Sequence, residues 1–244
     1  MVVCLGVLAC AACSGGGDEE VDASSSATEA DAAADAAATD ATSISTTTPS
    51  VAGSLAPPGD VPCPDNRHAV VVDLRALITE EGELYRWYED AGYDPLVRAG
   101  AVELVAAYVQ RGYEVVYVTG WDATTMLGTT TPVTEALPNW MASHGFPVGP
   151  GTSLHMWPPD EFESEDVFKT QVMTDLRSEG VQVDRLYTND TTDVPAYISG
   201  GIPSDRIQTF GPAAEVEGTD PIPNEDFAVH RSQTIDRQAP ICAV

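Results

Sequence analysis

Apolar runs that end in polar side chains recur along the chain from residue 68 onward. In the first of them, an alanine and three valines at positions 69–72 lead directly into Asp73. A β-branched run of this kind predicts a strand buried on both faces of a parallel sheet. It would bring Asp73 to the carboxyl edge, where open α/β sheets place their chemistry. An aspartate there can be a nucleophile, a metal ligand or only a polar strand end, and this stretch alone leaves the three interpretations open.

The rest of the pattern predicts a single α/β domain. Further strands are predicted at residues 114–118, 153–157, 185–188 and 206–210. Helical spacing of apolar residues predicts helices over 101–110, 133–143 and 164–179, and a short helix that ends near residue 199. Alternation of strands and helices implies a parallel sheet with right-handed crossovers. The aromatic-rich stretch 80–94 is interpreted as a flap beside the sheet edge, and residues 213–244 as an irregular segment.

The N-terminus has the features of an export signal. Residues 2–12 are apolar but too short to span a bilayer, and Cys13 follows two alanines and precedes a Ser-Gly-Gly-Gly spacer. This arrangement resembles a bacterial lipoprotein cleavage site. We therefore expect residues 1–13 to be a signal region, Cys13 to carry a lipid, and the protein to be extracytoplasmic, either anchored to the membrane or secreted. No Lys or Arg precedes the apolar run and Cys10 stands where leucine is usual, so Cys10 is a rival anchor.

The segment after the signal region has the composition of a tether. Residues 14–62 contain no Lys, Arg or aromatic side chain, so they cannot bury enough apolar surface to offset their ordering entropy. Beyond the signal region only two cysteines remain, Cys63 ahead of the first strand and Cys242 near the chain end. Two cysteines that bracket an exported domain predict a disulfide between them.

The charge of the chain excludes some partners. With 11 Lys and Arg against 38 Asp and Glu, the formal net charge is -27. A surface of this kind repels polyanions and anionic lipid headgroups, so nucleic acid is not expected as a partner. Solubility, or adaptation to salty surroundings, explains the acidity more simply than a dedicated cationic partner does. The sequence does not specify an oligomeric state.

Polar groups from four parts of the chain are predicted to meet at one sheet edge: Asp73, Thr119, Lys169, and Asn189 with Asp193. This order resembles that of the haloacid-dehalogenase-like (HAD-like) superfamily, which has an Asp-x-Asp-Gly-Thr strand end, a Ser or Thr strand end, a helical Lys and an acidic strand end. No Walker, Rossmann or zinc-type spacing is present.

Three segments narrow the resemblance to lipin-type (LNS) domains. Residues 73–79 resemble the Asp-x-Asp-Gly-Thr-Ile-Thr opening of these domains. Residues 94–102 and 117–120 resemble the C-terminal domain of phosphatidylinositol-transfer proteins of the RdgB type. Residues 189–207 resemble the Gly-Asn-Arg-x-x-Asp-Val and Gly-Ile-Pro-x-x-Arg-Ile motifs at the end of LNS domains, and this match is the most specific. The resemblance implies a HAD-like, three-layer Rossmannoid domain over residues 63–212, with a parallel sheet in the strand order 5-4-1-2-3.

The resemblance also implies roles for the residues of the site. Asp73 would be the nucleophile, Thr119 with Gly120 would hold a phosphoryl oxygen, and Lys169 would screen the negative charges. Lys169 is the only lysine in the sequence, which strengthens its assignment to this position. Asp73, Asn189 and Asp193 would be the ligands of any Mg²⁺.

One departure from the family pattern changes the expected function. The second Asp of the family motif, which is the general acid/base, is replaced by Arg75. A guanidinium stays protonated in proteins, and losing a general acid/base typically costs about two to four decades of rate. The cation of Arg75 is also expected to pair with Asp73 or Asp193, or to point to solvent, so we expect no requirement for Mg²⁺.

The sequence therefore predicts a module that binds a phosphorylated small molecule or a phospholipid headgroup, or a structural module, rather than an enzyme. Phosphatidic acid is the lipid that the resemblance to RdgB-type domains implies. Such a ligand would be held near Arg75, Thr119, Gly120 and Lys169, while the membrane would be reached through the N-terminal lipid. The alternative is a weak Mg²⁺-dependent phosphatase.

Overall fold

A computed structural model describes residues 67–78 and 81–241 of the chain. Their strands are β1 His68–Asp73, β2 Glu114–Asp122, β3 Met126–Leu127, β4 Thr131–Pro132, β5 Thr152–Trp157, β6 Gln182–Thr188, β7 Ile207–Thr209 and β8 Asp220–Pro221. Their helices are α1 Glu81–Glu89, α2 Ala101–Gln110, α3 Val133–Ser143, α4 Glu165–Ser178, α5 Asp193–Ser199 and α6 Phe227–Gln233. Short 3-10 turns join several of these elements.

The main sheet has six parallel strands in the order β5-β2-β1-β6-β7-β8. Read in reverse, the first five strands are β7, β6, β1, β2 and β5. They correspond to the predicted fifth, fourth, first, second and third strands, so the predicted order is confirmed. The sheet also has β8, which the sequence did not predict, at the edge beside β7. A separate antiparallel hairpin is formed by β3 and β4.

Side-chain alternation along the central strand divides the core between the two faces of the sheet. Val70 and Val72 of β1 join one cluster, which includes apolar residues of α1, α2, α3 and α6. Ala69 and Val71 face the other cluster, which is built from α4 and α5. All four side chains are at most 3% exposed, and each buried valine contributes about 1.5–3 kcal/mol to stability. The sheet is therefore the middle layer of three.

Helix α4 positions the lysine of the predicted site, and its ends are defined by local interactions. The Ser164 side chain caps the helix by accepting a hydrogen bond of 3.3 Å from the backbone N–H of Val167. Phe168, Val172 and Leu176 are buried on the face that packs against the sheet. Gly180 follows the helix with a φ of 78°, a backbone conformation that favours glycine.

The prediction of a flap over residues 80–94 was wrong in form, because most of this stretch is the helix α1. Trp87 is buried, and its ring centroid lies 5.4 Å from that of Trp121 and 5.6 Å from that of Trp140. Tyr85 and Tyr88 lie on the opposite side of the helix and are more than half exposed. Leu84 and Trp87 are the buried apolar side chains of α1, and two residues are too few to produce the repeated i, i+3, i+4, i+7 spacing that predicts an amphipathic helix.

The prediction that residues 213–244 are irregular was also wrong, since β8 and α6 lie within them. Helix α6 closes the core through Phe227, which is 1% exposed. Its His230 joins a buried hydrogen-bonded chain, in which Tyr187 Oη lies 2.7 Å from Tyr108 Oη and 3.0 Å from His230 Nε2. Burial, assisted by the positive charge of Arg185 and opposed by Asp220, lowers the pKa of His230.

Several predictions concern parts of the chain that lie outside the described residues. These are the signal region with Cys10 and Cys13, the tether over residues 14–62, and the pairing of Cys63 with Cys242. Within residues 67–78 and 81–241, no helix combines the length and the hydropathy needed to cross a bilayer.

Candidate functional site

The carboxyl ends of the central strands bring the predicted polar groups to one edge of the sheet. Asp73 is the last residue of β1 and pairs in register with Val118 of β2, so Thr119 comes one residue beyond it. Thr119 lies inside β2, which continues to Asp122, and not after the strand end as the sequence suggested. On the other side of β1, β6 ends at Thr188, and Asp193 then begins α5. Parallel strands end together at this edge, so the site is a direct consequence of the topology.

Asp73 is 1% exposed and its two carboxylate oxygens are held by different groups. Oδ1 accepts a hydrogen bond of 2.9 Å from the backbone N–H of Arg75. Oδ2 accepts one of 3.0 Å from the Tyr197 hydroxyl and lies 2.9 Å from Nζ of Lys169. Burial acts to raise the pKa of Asp73, but the Lys169 ammonium and these hydrogen bonds outweigh it and hold the pKa below its usual range. Asp73 is therefore a carboxylate fixed in one orientation.

Lys169 lies at the centre of the site, with no exposed surface. Its Nζ lies 2.9 Å from Asp73 Oδ2, 2.6 Å from Asp193 Oδ1 and 2.5 Å from Glu165 Oε1. Burial acts to lower the pKa of Lys169, but the three carboxylates raise it well above its usual range. The lysine is thus a permanent ammonium ion that holds strand β1, helix α4 and helix α5 together.

The cluster has more negative than positive charge. Three carboxylates surround one ammonium ion, which leaves two negative charges in excess when all of them are ionised. Burial and the charge of Asp73 raise the pKa of Asp193 to about 7, so this carboxyl relieves part of the excess by binding a proton near neutral pH. Thr188 donates a hydrogen bond of 3.3 Å to Asp193 Oδ2.

Glu165 lies beside the Thr119–Gly120 segment of β2. Its carboxylate occupies the space where a Cβ at position 120 would stand, so a larger residue there would displace the Glu165 side chain. Thr119 is buried, and its hydroxyl oxygen accepts a hydrogen bond of 3.1 Å from the backbone N–H of Trp121. The predicted phosphate position is therefore bordered by Thr119, Gly120 and Lys169, with the Glu165 carboxylate among them.

The side chain of Arg75 forms an ion pair with Asp190, and its positive charge also helps to lower the pKa of Asp73. The prediction that it pairs with Asp73 or Asp193, or points to solvent, missed this contact. The turn after β6 places Asp190 opposite Arg75, and the Asp190 backbone N–H donates a hydrogen bond of 3.2 Å to Thr188 Oγ1.

Arg75 and Leu84 line two neighbouring cavities. One, of about 410 Å³, also contains Arg98, Asn189 and Glu225, and the other, of about 240 Å³, contains Tyr85, Tyr88 and Trp121.

The predicted metal ligands match Mg²⁺ only in part. Carboxylate and amide oxygens are suitable ligands, and Asn189 Oδ1 is buried without a hydrogen-bond partner among the described residues. The carboxylates of Asp73 and Asp193, however, are both bridged by Lys169. Across residues 67–78 and 81–241, no group of three His, Cys, Asp or Glu side chains has an arrangement suited to a metal ion. The assignment of Asp73, Asn189 and Asp193 to Mg²⁺ stays a prediction, and a bound Mg²⁺ would reduce the excess negative charge of the cluster.

Three contacts of the site were not predicted from the sequence. Glu165 precedes Lys169 by four residues, and this spacing puts the two side chains on one face of the helix. The ion pair between them could therefore have been predicted from the sequence. Tyr197 follows Asp193 by four residues on α5 in the same way. Its hydrogen bond to Asp73 spans 124 positions and depends on the tertiary fold. The contact of Asp190 with Arg75 depends on the exact path of a turn, for which the sequence carried no signal.

Comparisons with known proteins agree with this architecture. The crystal structure of D,D-heptose 1,7-bisphosphate phosphatase from B. bronchiseptica, complexed with magnesium and phosphate, aligns with a TM-score of 0.51 at 15% identity, over 70% of this chain and 99% of that chain. The same phosphatase from Burkholderia thailandensis aligns with a TM-score of 0.44 at 16% identity, over 70% of this chain and 100% of that chain. At 15% identity, the likeness to the first of these structures shows the fold alone. A search of curated proteins found no match.

The family assignment comes from the sequence itself. The family described as "PITM 1-3, LNS2 domain" matches residues 81–211, which is more than half of the chain. The match begins after β1, so Asp73 lies outside it, while Thr119, Lys169, Asn189 and Asp193 lie within it. The fold supplies the missing strand at the centre of the sheet. The chain belongs to the LNS2-domain family and has the HAD-like fold.

Proposed function

We propose that this protein is a non-hydrolysing LNS-type module that recognises a phosphate monoester, such as the headgroup of phosphatidic acid, at the carboxyl edge of its sheet. The observation that carries the proposal is the Arg75–Asp190 ion pair, which stands where the family pattern has its proton-donating Asp. The rest of the edge retains Thr119, Gly120 and Lys169, the groups to which the resemblance assigns phosphate binding.

Hydrolysis requires a group that protonates the leaving oxygen, and the Arg75 side chain cannot do so at neutral pH. Its partner Asp190 is an acceptor when ionised, and the ion pair favours that charged form. Neither member of this ion pair therefore supplies the proton that the carboxyl of the family pattern would supply. This loss alone is expected to reduce the rate of a phosphatase by about two to four decades.

Binding makes weaker demands than hydrolysis. It needs donors for the phosphate oxygens and space for the remainder of the ligand. Lys169 and the Thr119 hydroxyl are suitable donors, and the two cavities that share Arg75 provide adjacent space. The larger one, at about 410 Å³, falls within the usual range for small-molecule sites of roughly 300–1,000 Å³. Because the chain as a whole carries a charge of -27, recognition has to be local rather than a general attraction to anionic membranes.

A weak Mg²⁺-dependent phosphatase is the second candidate, and two observations favour it. The Lys169 cluster has an excess of negative charge, and Asn189 Oδ1 is a buried oxygen without a partner among the described residues. Asp73 would then attack phosphorus, and a substrate with a good leaving group would need little protonation.

Vesicle flotation tests the binding proposal. The protein should float with phosphatidylcholine vesicles that contain phosphatidic acid, and much less with vesicles in which phosphatidylglycerol supplies the same negative charge. Soluble glycerol phosphate in excess should release the protein if the phosphate monoester alone is recognised, and should have no effect if the lipid surface is required. Equal flotation with both anionic lipids, or with neither, would refute phosphate-monoester recognition.

Turnover separates the two candidates. In the presence of Mg²⁺, we expect the wild-type protein to hydrolyse p-nitrophenyl phosphate no faster than the Asp73→Asn variant. The Arg75→Asp variant restores a carboxyl at position 75, so it is the variant that could bind Mg²⁺ more strongly and regain slow activity. A gain in Arg75→Asp would show that Arg75 silences the site. Wild-type turnover that requires both Mg²⁺ and Asp73 would overturn the binding-module proposal and establish the phosphatase.

A further inference from the structure

The carboxylate of Glu165 occupies the position that the proposed function gives to the ligand phosphate. Its Oε1 is buried and lies 2.5 Å from the ammonium of Lys169. The Glu165 carboxylate also lies against Gly120, where a Cβ would overlap the carboxylate carbon and both of its oxygens. An anionic group of the protein itself thus lies between the lysine and the glycine that would contact a phosphate.

A phosphate cannot simply be added to this arrangement. Lys169 already contacts three carboxylates, so an incoming phosphate would meet Glu165 at the same ammonium ion. Two anions in contact in a partly buried site repel each other strongly. Steric overlap adds to the repulsion, because the glycine surface is covered by the same side chain. One of the carboxylates has to leave before a phosphate can reach Lys169.

Glu165 is the carboxylate that can move. The side chains of Asp73 and Asp193 are only 2% and 1% exposed, and both are held by further hydrogen bonds. The Glu165 side chain is 27% exposed and belongs to the first residue of α4, so rotation about its side-chain bonds can carry the carboxylate into solvent. Its displacement does not require the helix to unfold.

We propose that Glu165 is an internal occupant of the phosphate site and that ligand binding exchanges its carboxylate for the phosphate of the ligand. This inference rests on the proposed function and makes Glu165 the residue that sets the affinity and selectivity of the site. A ligand must replace a singly charged carboxylate at Lys169. A dianionic phosphate monoester can do so, whereas a simple monocarboxylate such as acetate gains nothing over the side chain that is already present.

Isothermal titration of the full chain with inorganic phosphate tests the exchange. Glu165→Gln removes the competing charge with little change of shape, and Glu165→Ala also empties the space beside Gly120. Glu163→Gln is the matched control, because it removes the same charge from an exposed position two residues away. We expect both Glu165 variants to bind phosphate about tenfold tighter than wild type or more, and the control to bind like wild type. Thermal melts establish that each variant is folded.

The single lysine of the chain provides a direct spectroscopic readout. Lys169 is the only lysine, so ¹⁵N-lysine labelling gives one side-chain Nζ signal. Phosphate should shift this signal in wild type only at high concentration and in Glu165→Gln at about a tenth of that concentration. Acetate at the same concentrations should leave the wild-type signal unchanged.

The outcomes separate the inference from the proposed function. Equal phosphate affinity in wild type, Glu165→Gln and Glu163→Gln would overturn the exchange while leaving phosphate recognition intact. Phosphate binding by the Glu165 variants, without detectable binding by wild type, would support the internal occupant and refute recognition by the resting protein. Failure of every folded variant to bind phosphate or shift the Lys169 signal would overturn both.

Discussion

Replacing Lys169 by Met is the most informative single perturbation of this fold, because it removes the only cation of a buried cluster while keeping a side chain of similar length. The lysine has no exposed surface and contacts Asp73, Asp193 and Glu165 at 2.5–2.9 Å. Solvent screening is therefore small, unlike that of a surface ion pair. Removing one partner of a buried ion pair costs about 3–5 kcal/mol, since the remaining charges are left uncompensated.

The loss should depend on pH, with a sign that follows from proton binding. Without the ammonium ion, the folded-state pKa values of Asp73 and Asp193 rise above their unfolded values. The folded variant then binds more protons than the unfolded chain between those values, so its stability increases as the pH falls from 7 to 5. In wild type the pKa of Asp193 is raised to about 7, so Asp193 already binds a proton in this interval, whereas the pKa of Asp73 is lowered and Asp73 stays ionised throughout it. The additional proton uptake of the variant between pH 7 and 5 therefore comes mainly from Asp73. The deficit of the variant relative to wild type should therefore be larger at pH 7 than at pH 5.

Urea unfolding followed by tryptophan fluorescence at both pH values measures the effect. Arg177→Met is the matched control, since it removes a positive charge from an exposed position of the same helix and should change stability by less than about 0.5 kcal/mol. Adding Asp193→Asn to Lys169→Met should restore part of the loss at pH 7, because one buried charge is removed with the other. A loss below about 1 kcal/mol at pH 7, with no dependence on pH, would contradict the description of Lys169 as a buried charge that three carboxylates require.

Two further predictions concern other parts of the chain. Burial lowers the pKa of His230, so the unfolded chain binds its proton more readily, and stability should fall as the pH drops below about 6.5. His230→Gln should reduce that fall in urea titrations between pH 7 and 5, and an unchanged pH dependence would contradict the assignment. We also propose that Cys63 and Cys242 form a disulfide, which could stabilise the domain by roughly 5 kcal/mol at most in the loop-entropy model. Mass spectrometry of non-reduced peptides would show the linked pair, and two alkylated thiols in protein produced under oxidising conditions would exclude it.

The sheet could be predicted from the sequence because its strands carry a continuous signal. The β-branched run ending at Asp73 and the apolar run ending at Thr119 are each too apolar to lie at a surface. Once the strands are parallel, their carboxyl ends must meet, so the neighbourhood of Asp73, Thr119 and Asp193 follows from topology. The unpredicted β8 consists of two exposed residues, and such a short edge strand has no hydrophobic pattern to detect.

The ion pairs and hydrogen bonds of the site were harder to predict from the sequence, because they depend on which side chain reaches which partner. Lys169 could be placed at the site from the family pattern, but its third carboxylate, Glu165, lies outside that pattern. The ion pair of Arg75 with Asp190 was not predicted, because a long cation can reach several acids and the fold decides among them. Asp190 became its partner through the turn that follows β6. Strand ends are thus set by local pattern, whereas ion-pair partners are set by tertiary geometry.

Under the proposed function, the residue at position 75 separates phosphate binding from phosphate hydrolysis. The backbone N–H of this residue donates a hydrogen bond of 2.9 Å to Asp73 Oδ1, which any residue other than proline would also donate. The orientation of the Asp73 carboxylate, fixed also by Tyr197 and Lys169, therefore does not depend on the side chain at position 75. In the family pattern, proton transfer to the leaving group depends on the side chain at this position. Under the proposed function, an arginine there removes that proton donor and leaves the orientation of Asp73 in place, so that a phosphate ester would bind and stay intact.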